Sequence, residues 1–125
     1  MAITPIVSTR SIMDSLPKLK TATAAANNAA IATTEPADDE FIVVWEIYAS
    51  YDRATAATVG ALITTGLVAD EVRFDLPTTL SATLRGPLYG TLGTDVVVTL
   101  EADTGGAIGV VNVLYSICQA PSAGV

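Results

Sequence analysis

Between residues 41 and 50 the chain reads Phe-Ile-Val-Val-Trp-Glu-Ile-Tyr-Ala-Ser, a run without glycine or proline and dense in β-branched and aromatic side chains. That is the composition of a strand in a packed sheet. Alternation puts Phe41, Val43, Trp45, Ile47 and Ala49 on one face, which is expected to be the core. The other face, with Ile42, Val44, Glu46, Tyr48 and Ser50, passes from apolar to polar. Further strands are predicted over 57–64, 67–76, 79–85, 95–101 and 108–118. Val72, Phe74 and Leu76 alternate with Arg73 and Asp75, and Val96, Val98 and Leu100 with Asp95, Thr99 and Glu101. This is the pattern of antiparallel strands with one buried face. Turn signals at Tyr51-Asp52-Arg53, Pro77, Gly86-Pro87, Gly90 to Gly93 and Asp103 to Gly106 are spaced closely enough for a sandwich of six or seven strands. The Ala and Leu content of 55–67 also admits a short helix.

The last predicted strand is apolar on both sides. Val111, Val113, Tyr115 and Ile117 share one face, and Ile108, Val110, Asn112 and Leu114 the other. Such a strand is either central in its sheet or covered by another subunit. Gly109 is expected to mark a bulge. The predicted core comprises Val43, Trp45, Phe74, Val98 and Val113, and Val110, Asn112 and Leu114 form a candidate assembly surface.

Residues 1–36 differ in kind: they contain no aromatic residue and are rich in Ala, Thr, Asn and Ser. Residues 22–32 have helical propensity, but Asn27, Asn28 and the lack of a large apolar face leave an isolated helix marginal. The predicted organisation is therefore an extended N-terminal arm over 1–36 followed by a β-sandwich over 37–125. Ile3, Ile6, Val7, Ile12, Met13, Leu16 and Leu19 are aliphatic anchors in the arm without a core of their own, and Arg10 lies among them. An unanchored tail is the plain alternative. Disordered tails usually lack so many large aliphatics, which favours an arm that docks on a partner.

Composition narrows the function classes. Hydrophobic residues make up 50% of the chain and charged residues 15%, against a usual charged share of about 25%. A single domain of this size has difficulty hiding that much apolar surface, so subunit contacts are expected. The net charge of −7 is uneven: Arg10, Lys18 and Lys20 against Asp14 leave residues 1–34 at +2, whereas 35–125 holds twelve acids against three arginines, a balance of −9. An acidic body repels phosphate, so no nucleic-acid partner is expected. Residues 107–118, the apolar part of the longest uncharged stretch, are shorter than the roughly 20 residues of a spanning helix, and no membrane partner is expected. The N-terminus lacks the pattern of a secretory signal, so synthesis in the cytoplasm is expected.

The chain has no histidine and one cysteine, Cys118. Ser/His and Cys/His nucleophilic arrangements cannot be built, nor can a closed zinc site, and no disulfide can form within the chain. Asp38-Asp39-Glu40 and Asp70-Glu71 with Asp75 could hold a hard cation, but neither has the spacing of a calcium loop. Gly86, Gly90 and Gly93 lie between strands with no helix following, so they are turn residues and not a phosphate loop. Trp45 could stack on a ligand, although its alternation with Val43 and Ile47 favours the core. No cofactor and no catalytic activity are expected.

Residues 85–116 contain Pro87-Leu88, a short turn, Gly93-Thr94, an apolar strand, a Gly-rich turn and a second apolar strand ending in Val113-Leu114-Tyr115. This succession resembles the C-terminal half of small β-sandwich proteins of tailed-phage virions. The resemblance implies a jelly-roll-like antiparallel sandwich and a capsid decoration (cement) or related subunit. It further implies a homotrimer or other homo-oligomer on the capsid surface, with the major capsid protein or another virion protein as partner. Two other functions remain open on the residues themselves: a carbohydrate-binding sandwich with Trp45 or Tyr89 exposed at its site, and a polymerising tail-tube or appendage subunit.

Overall fold

Alternating strands need partners, and eight of them account for the regular structure among the described residues. The computed structural model describes residues 16–24, 28–52, 61–75, 81–103 and 106–120, apart from the side chains of Phe74 and Asp75. The strands are β1 (Lys18–Thr23), β2 (Ala30–Thr34), β3 (Glu40–Tyr51), β4 (Ala61–Leu67), β5 (Asp70–Asp75), β6 (Ser81–Tyr89), β7 (Val96–Leu100) and β8 (Gly109–Gln119). The helical alternative for 55–67 gives way to strand over Ala61–Leu67, while 53–60 lies outside the described residues.

The pairing has a simple logic. β1 pairs with β8, β2 with β7, β3 with β6 and β4 with β5, all antiparallel, as in one long hairpin. Rolling that hairpin adds the contacts of β3 with β8 and of β4 with β7. Two four-stranded sheets result, a front sheet ordered β1-β8-β3-β6 and a back sheet ordered β2-β7-β4-β5. This is the jelly-roll arrangement of an antiparallel β-sandwich, as the family resemblance implies.

The arm boundary expected after residue 36 falls inside this fold, since β1 and β2 both precede it. β1 and β2, each an edge strand of its sheet, contain few large apolar side chains. Ala30 and Ala32 are fully buried, and Ala22 packs against the core. Thr34 is buried with its hydroxyl donating to the Val96 carbonyl at 3.0 Å.

The core lies between the sheets. Ile42, Val44, Ile47 and Ala49 of β3 and Val111 and Val113 of β8 meet Leu62 of β4 and Val96, Val98 and Leu100 of β7. Each fully buried Val, Leu or Ile contributes about 1.5–3 kcal/mol. The predicted core residues Val98 and Val113 are here, at 0% exposure. Phe74 lies in β5 opposite Leu62, and its side chain is outside the described residues.

Trp45 is not in the core: it is 41% exposed. From Val44 to Glu46 β3 advances two residues while β8 advances one, from Tyr115 to Leu114, so a β-bulge inserts one extra residue at Trp45 relative to β8; over the same step β6 advances three, from Leu88 to Arg85. Alternation therefore inverts. Ile42 and Val44 point inward before the bulge, and Ile47, Ala49 and Tyr51 after it. Val43 is buried at 3% exposure, but on the outer side of the sheet, away from the inter-sheet cluster.

Across from Trp45 stand Gly86 and Pro87, which lie within β6 and do not form the expected turn. A Cβ at Gly86 would collide with the Val44 carbonyl oxygen, so the strands approach this closely only with glycine there. Pro87, lacking an N–H, is tolerated because β6 is an edge strand. Gly109 likewise marks no bulge. It begins β8, and a Cβ there would meet Leu100 Cδ2 at 2.8 Å.

Candidate interaction surface

The bulge and the strand order together build one exposed face on the front sheet. Its cross-strand rows follow from the register. Tyr89 stands beside Val43 and Ser116; Arg85 beside Glu46, Leu114 and Leu19; Thr83 beside Tyr48, Asn112 and Thr21; and Ser81 beside Ser50, Val110 and Thr23. Trp45 projects at the bulge between the first two rows. Charge is nearly absent from these rows: they contain only Glu46 and Arg85, which pair at 3.8 Å.

Four of the large side chains here are well exposed: Leu19 at 65%, Tyr89 at 55%, Trp45 at 41% and Tyr48 at 40%. The indole N–H of Trp45 donates to Ser116 Oγ at 2.8 Å. Ser116 faces Val43 across the strand pair, so this bond draws the ring over the place where Val43 is buried. The ring is thereby held in position with its polar atom satisfied within the chain. On the neighbouring row the Thr21 hydroxyl donates to Asn112 Oδ1 at 2.7 Å. A face of fixed aromatics, uncharged hydroxyls and one exposed ion pair suits docking against a surface that brings little charge of its own.

The structure gathers candidates that the sequence analysis placed apart. Leu19, from the arm, lies directly opposite Leu114, and Val110 and Asn112 follow Leu114 along the same outer face of β8. Leu16 is exposed just before β1, whereas Ile3, Ile6, Val7, Arg10, Ile12 and Met13 lie outside the described residues. β8 is central in its sheet, with its inner side packed in the core and its outer side half-buried. Tyr48 and Trp45 are the members that alternation alone misplaces or leaves unused. The signal was present in Ile42 and Val44, two large β-branched residues on what alternation makes the solvent side.

Tyr89 also borders an apolar recess of about 430 Å³ at the edge of this face, lined by Leu67, Val68, Ala69, Pro87, Leu88 and Tyr89. The β4–β5 turn forms its far wall and is tied to β6 by Val68 N–H donating to the Tyr89 carbonyl at 2.9 Å.

Several of the acidic groups serve the fold. Glu40 Oε1 accepts from the Ala37 N–H at 2.8 Å, and Asp39 Oδ2 accepts from Gln119 Nε2 at 3.1 Å, which ties the acidic turn before β3 to the end of β8. At the opposite end, Asp52 Oδ1 accepts from the Ile108 N–H at 2.8 Å and buried Asp103 accepts from the Ala107 N–H at 3.0 Å. Tyr51 donates its hydroxyl to the Glu101 carbonyl at 2.7 Å. Burial, and then the carboxylates of Asp103 and Glu101, push its phenol above the ordinary value. Burial raises the Cys118 thiol as well. Among the described residues no group of three His, Cys, Asp or Glu side chains is placed to hold a metal ion, and no helix is long and apolar enough to cross a membrane.

No protein-family model matches the chain, and no curated protein matches it either. Solved structures do. The acidic stable capsid structure of Helicobacter pylori bacteriophage KHP30 contains a chain with 18% identity and a TM-score of 0.50, over 87% of this chain and 96% of that one. The capsid asymmetric unit of cyanophage Pam1 contains another, at 14% identity and a TM-score of 0.45, over 97% of this chain and 94% of that one. A family 16 carbohydrate-binding module has 12% identity and a TM-score of 0.40, over 74% of this chain and 73% of that one. At these identities the likeness is one of fold.

Proposed function

We propose that the chain is a non-catalytic structural subunit of a phage-type virion, a capsid decoration (cement) protein that binds the shell through the outer face of its front sheet. The observation that carries this is the face itself: Trp45, Tyr48, Tyr89 and Leu19 exposed on a surface whose charges are confined to one ion pair. Tryptophan, tyrosine and arginine are the residues that dominate binding energy at protein interfaces. The fold shared with a chain of the bacteriophage KHP30 capsid supports a shell as the setting. In this reading the partner is a major capsid protein or another virion protein, the location is the capsid surface after synthesis in the host cytoplasm, and residues 1–15 add a second point of attachment. Two modest contacts on one subunit reinforce each other through effective concentration, and many subunits repeat them over a shell.

The test is co-sedimentation with shells from the parent virion. Trp45→Ala with Tyr89→Ala should weaken binding at least about tenfold, the effect of losing one hot-spot contact, while leaving the circular-dichroism spectrum intact. Undiminished binding by the double variant removes the face from the proposal. A second reading rests on the same exposed aromatics: the face takes a neutral glycan, with Trp45 stacking on a sugar ring. A saturable glycan-array signal lost in Trp45→Ala, with no shell binding, would favour it.

A further inference from the structure

Four strands end the two sheets: β1 and β6 in front, β2 and β5 behind. An unpaired edge offers its N–H and C=O groups to any other strand, and folded proteins blunt it with charge or proline. Three of the edges carry such protection: Lys18 and Lys20 on β1, Asp70, Glu71 and Arg73 on β5, and Arg85 and Pro87 on β6. The fourth, β2, reads Ala-Ile-Ala-Thr-Thr and has neither charge nor proline. Among the described residues no strand pairs with its second edge. Its inner residues Ala30, Ala32 and Thr34 are buried, and its outward side chains are Thr33 and Ile31, the latter 55% exposed.

We propose that β2 is the self-association edge of the protein. β2 of one copy pairs antiparallel with β2 of a second about a two-fold axis at Ala32, which joins the two back sheets into one of eight strands. Charge selects both the site and the direction. The chain carries −7, so two copies repel, and backbone pairing is tolerated along an edge without acids. Glu35 follows β2 directly. In the antiparallel pairing it stands opposite Ala29 of the second copy, and the two Glu35 residues are about 20 Å apart along the strands. That exceeds the roughly 8 Å screening length at physiological salt. A parallel pairing would set them one strand spacing apart, about 4.8 Å. The antiparallel register also puts Ile31 against Thr33 of the other copy on the outer face, a favourable cross-strand pair.

This inference does not depend on the virion reading, and its test uses no shell. Sedimentation equilibrium of the full chain across the micromolar range should reach twice the 12.8 kDa chain mass. Ile31→Lys/Thr33→Lys and Ile31→Glu/Thr33→Glu should each be monomeric with unchanged circular dichroism. An equimolar mixture of the two should dimerise again, because every Lys then faces a Glu. Amide exchange of the wild-type chain provides a readout free of folding effects, since protection over β2 should rise with protein concentration. A wild-type chain that stays monomeric, a mixture that stays monomeric, or β2 amides indifferent to concentration would each overturn the proposal. So would a dimer that survives the Lys variant and is lost in Trp45→Ala.

Discussion

Thr64 is fully buried on the inner face of β4, and among the described residues its hydroxyl has no hydrogen-bond partner. A buried polar atom left unsatisfied costs about 1–3 kcal/mol. Valine has nearly the same shape without that cost, so Thr64→Val should raise the unfolding free energy by about 1 kcal/mol in urea denaturation. A loss of similar size would mean that the hydroxyl contributes to the fold. Tyr51 is the opposite case, a buried hydroxyl with a partner. Its phenol titrates higher in the folded chain than in the unfolded one. Its contribution is therefore complete below about pH 10, the unfolded value, and is lost as pH rises through the folded value. Tyr51→Phe should lower stability at pH 7 by about 1 kcal/mol, and it should flatten the part of the alkaline decline that belongs to this residue. An alkaline profile identical in the variant would remove Tyr51 as a contributor.

At the scale of the strand, one inserted residue decides which side chains are core. Without the bulge, β3 would bury Trp45 and turn Ile42 and Val44 to solvent. With it, both aliphatics enter the inter-sheet cluster and the indole becomes surface. The two arrangements differ in energy at each position. Ile47→Ala should cost about 2–5 kcal/mol, as for a buried aliphatic. Trp45→Ala should cost less than about 2, mainly the bond to Ser116. A Trp45→Ala loss of about 3–5 kcal/mol would return the indole to the core. The short strands β1 and β2 show the same limit of residue-type patterns. Their Ala and Thr side chains look coreless in sequence, but backbone pairing with β8 and β7 places them in the sandwich.

For the whole molecule, long-range charge and apolar surface pull in opposite directions. The net charge of −7 opposes self-association, while the aromatic front face and the uncharged β2 edge favour contact. Raising NaCl from about 20 mM to about 500 mM shortens the screening length roughly fivefold, so any self-association should tighten, read as a lower Kd by analytical ultracentrifugation. A Kd that weakens with salt would mean that ion pairs, and not apolar or backbone contacts, hold the copies together. The amino-acid sequence by itself determined the all-β class, the strands corresponding to β3 and β5 to β8 to within a few residues, the inward side of β7 and β8, and the want of charge. Each of these is written locally, in the period-two alternation of β-branched residues and in composition. Only the tertiary structure decided that β1 and β2 belong to the sandwich, that Trp45 faces outward, and that Leu19, Leu114, Tyr48 and Tyr89 share one face. Those facts depend on which distant strands pair and in what register, and a single extra residue in one strand reverses every side chain that follows it.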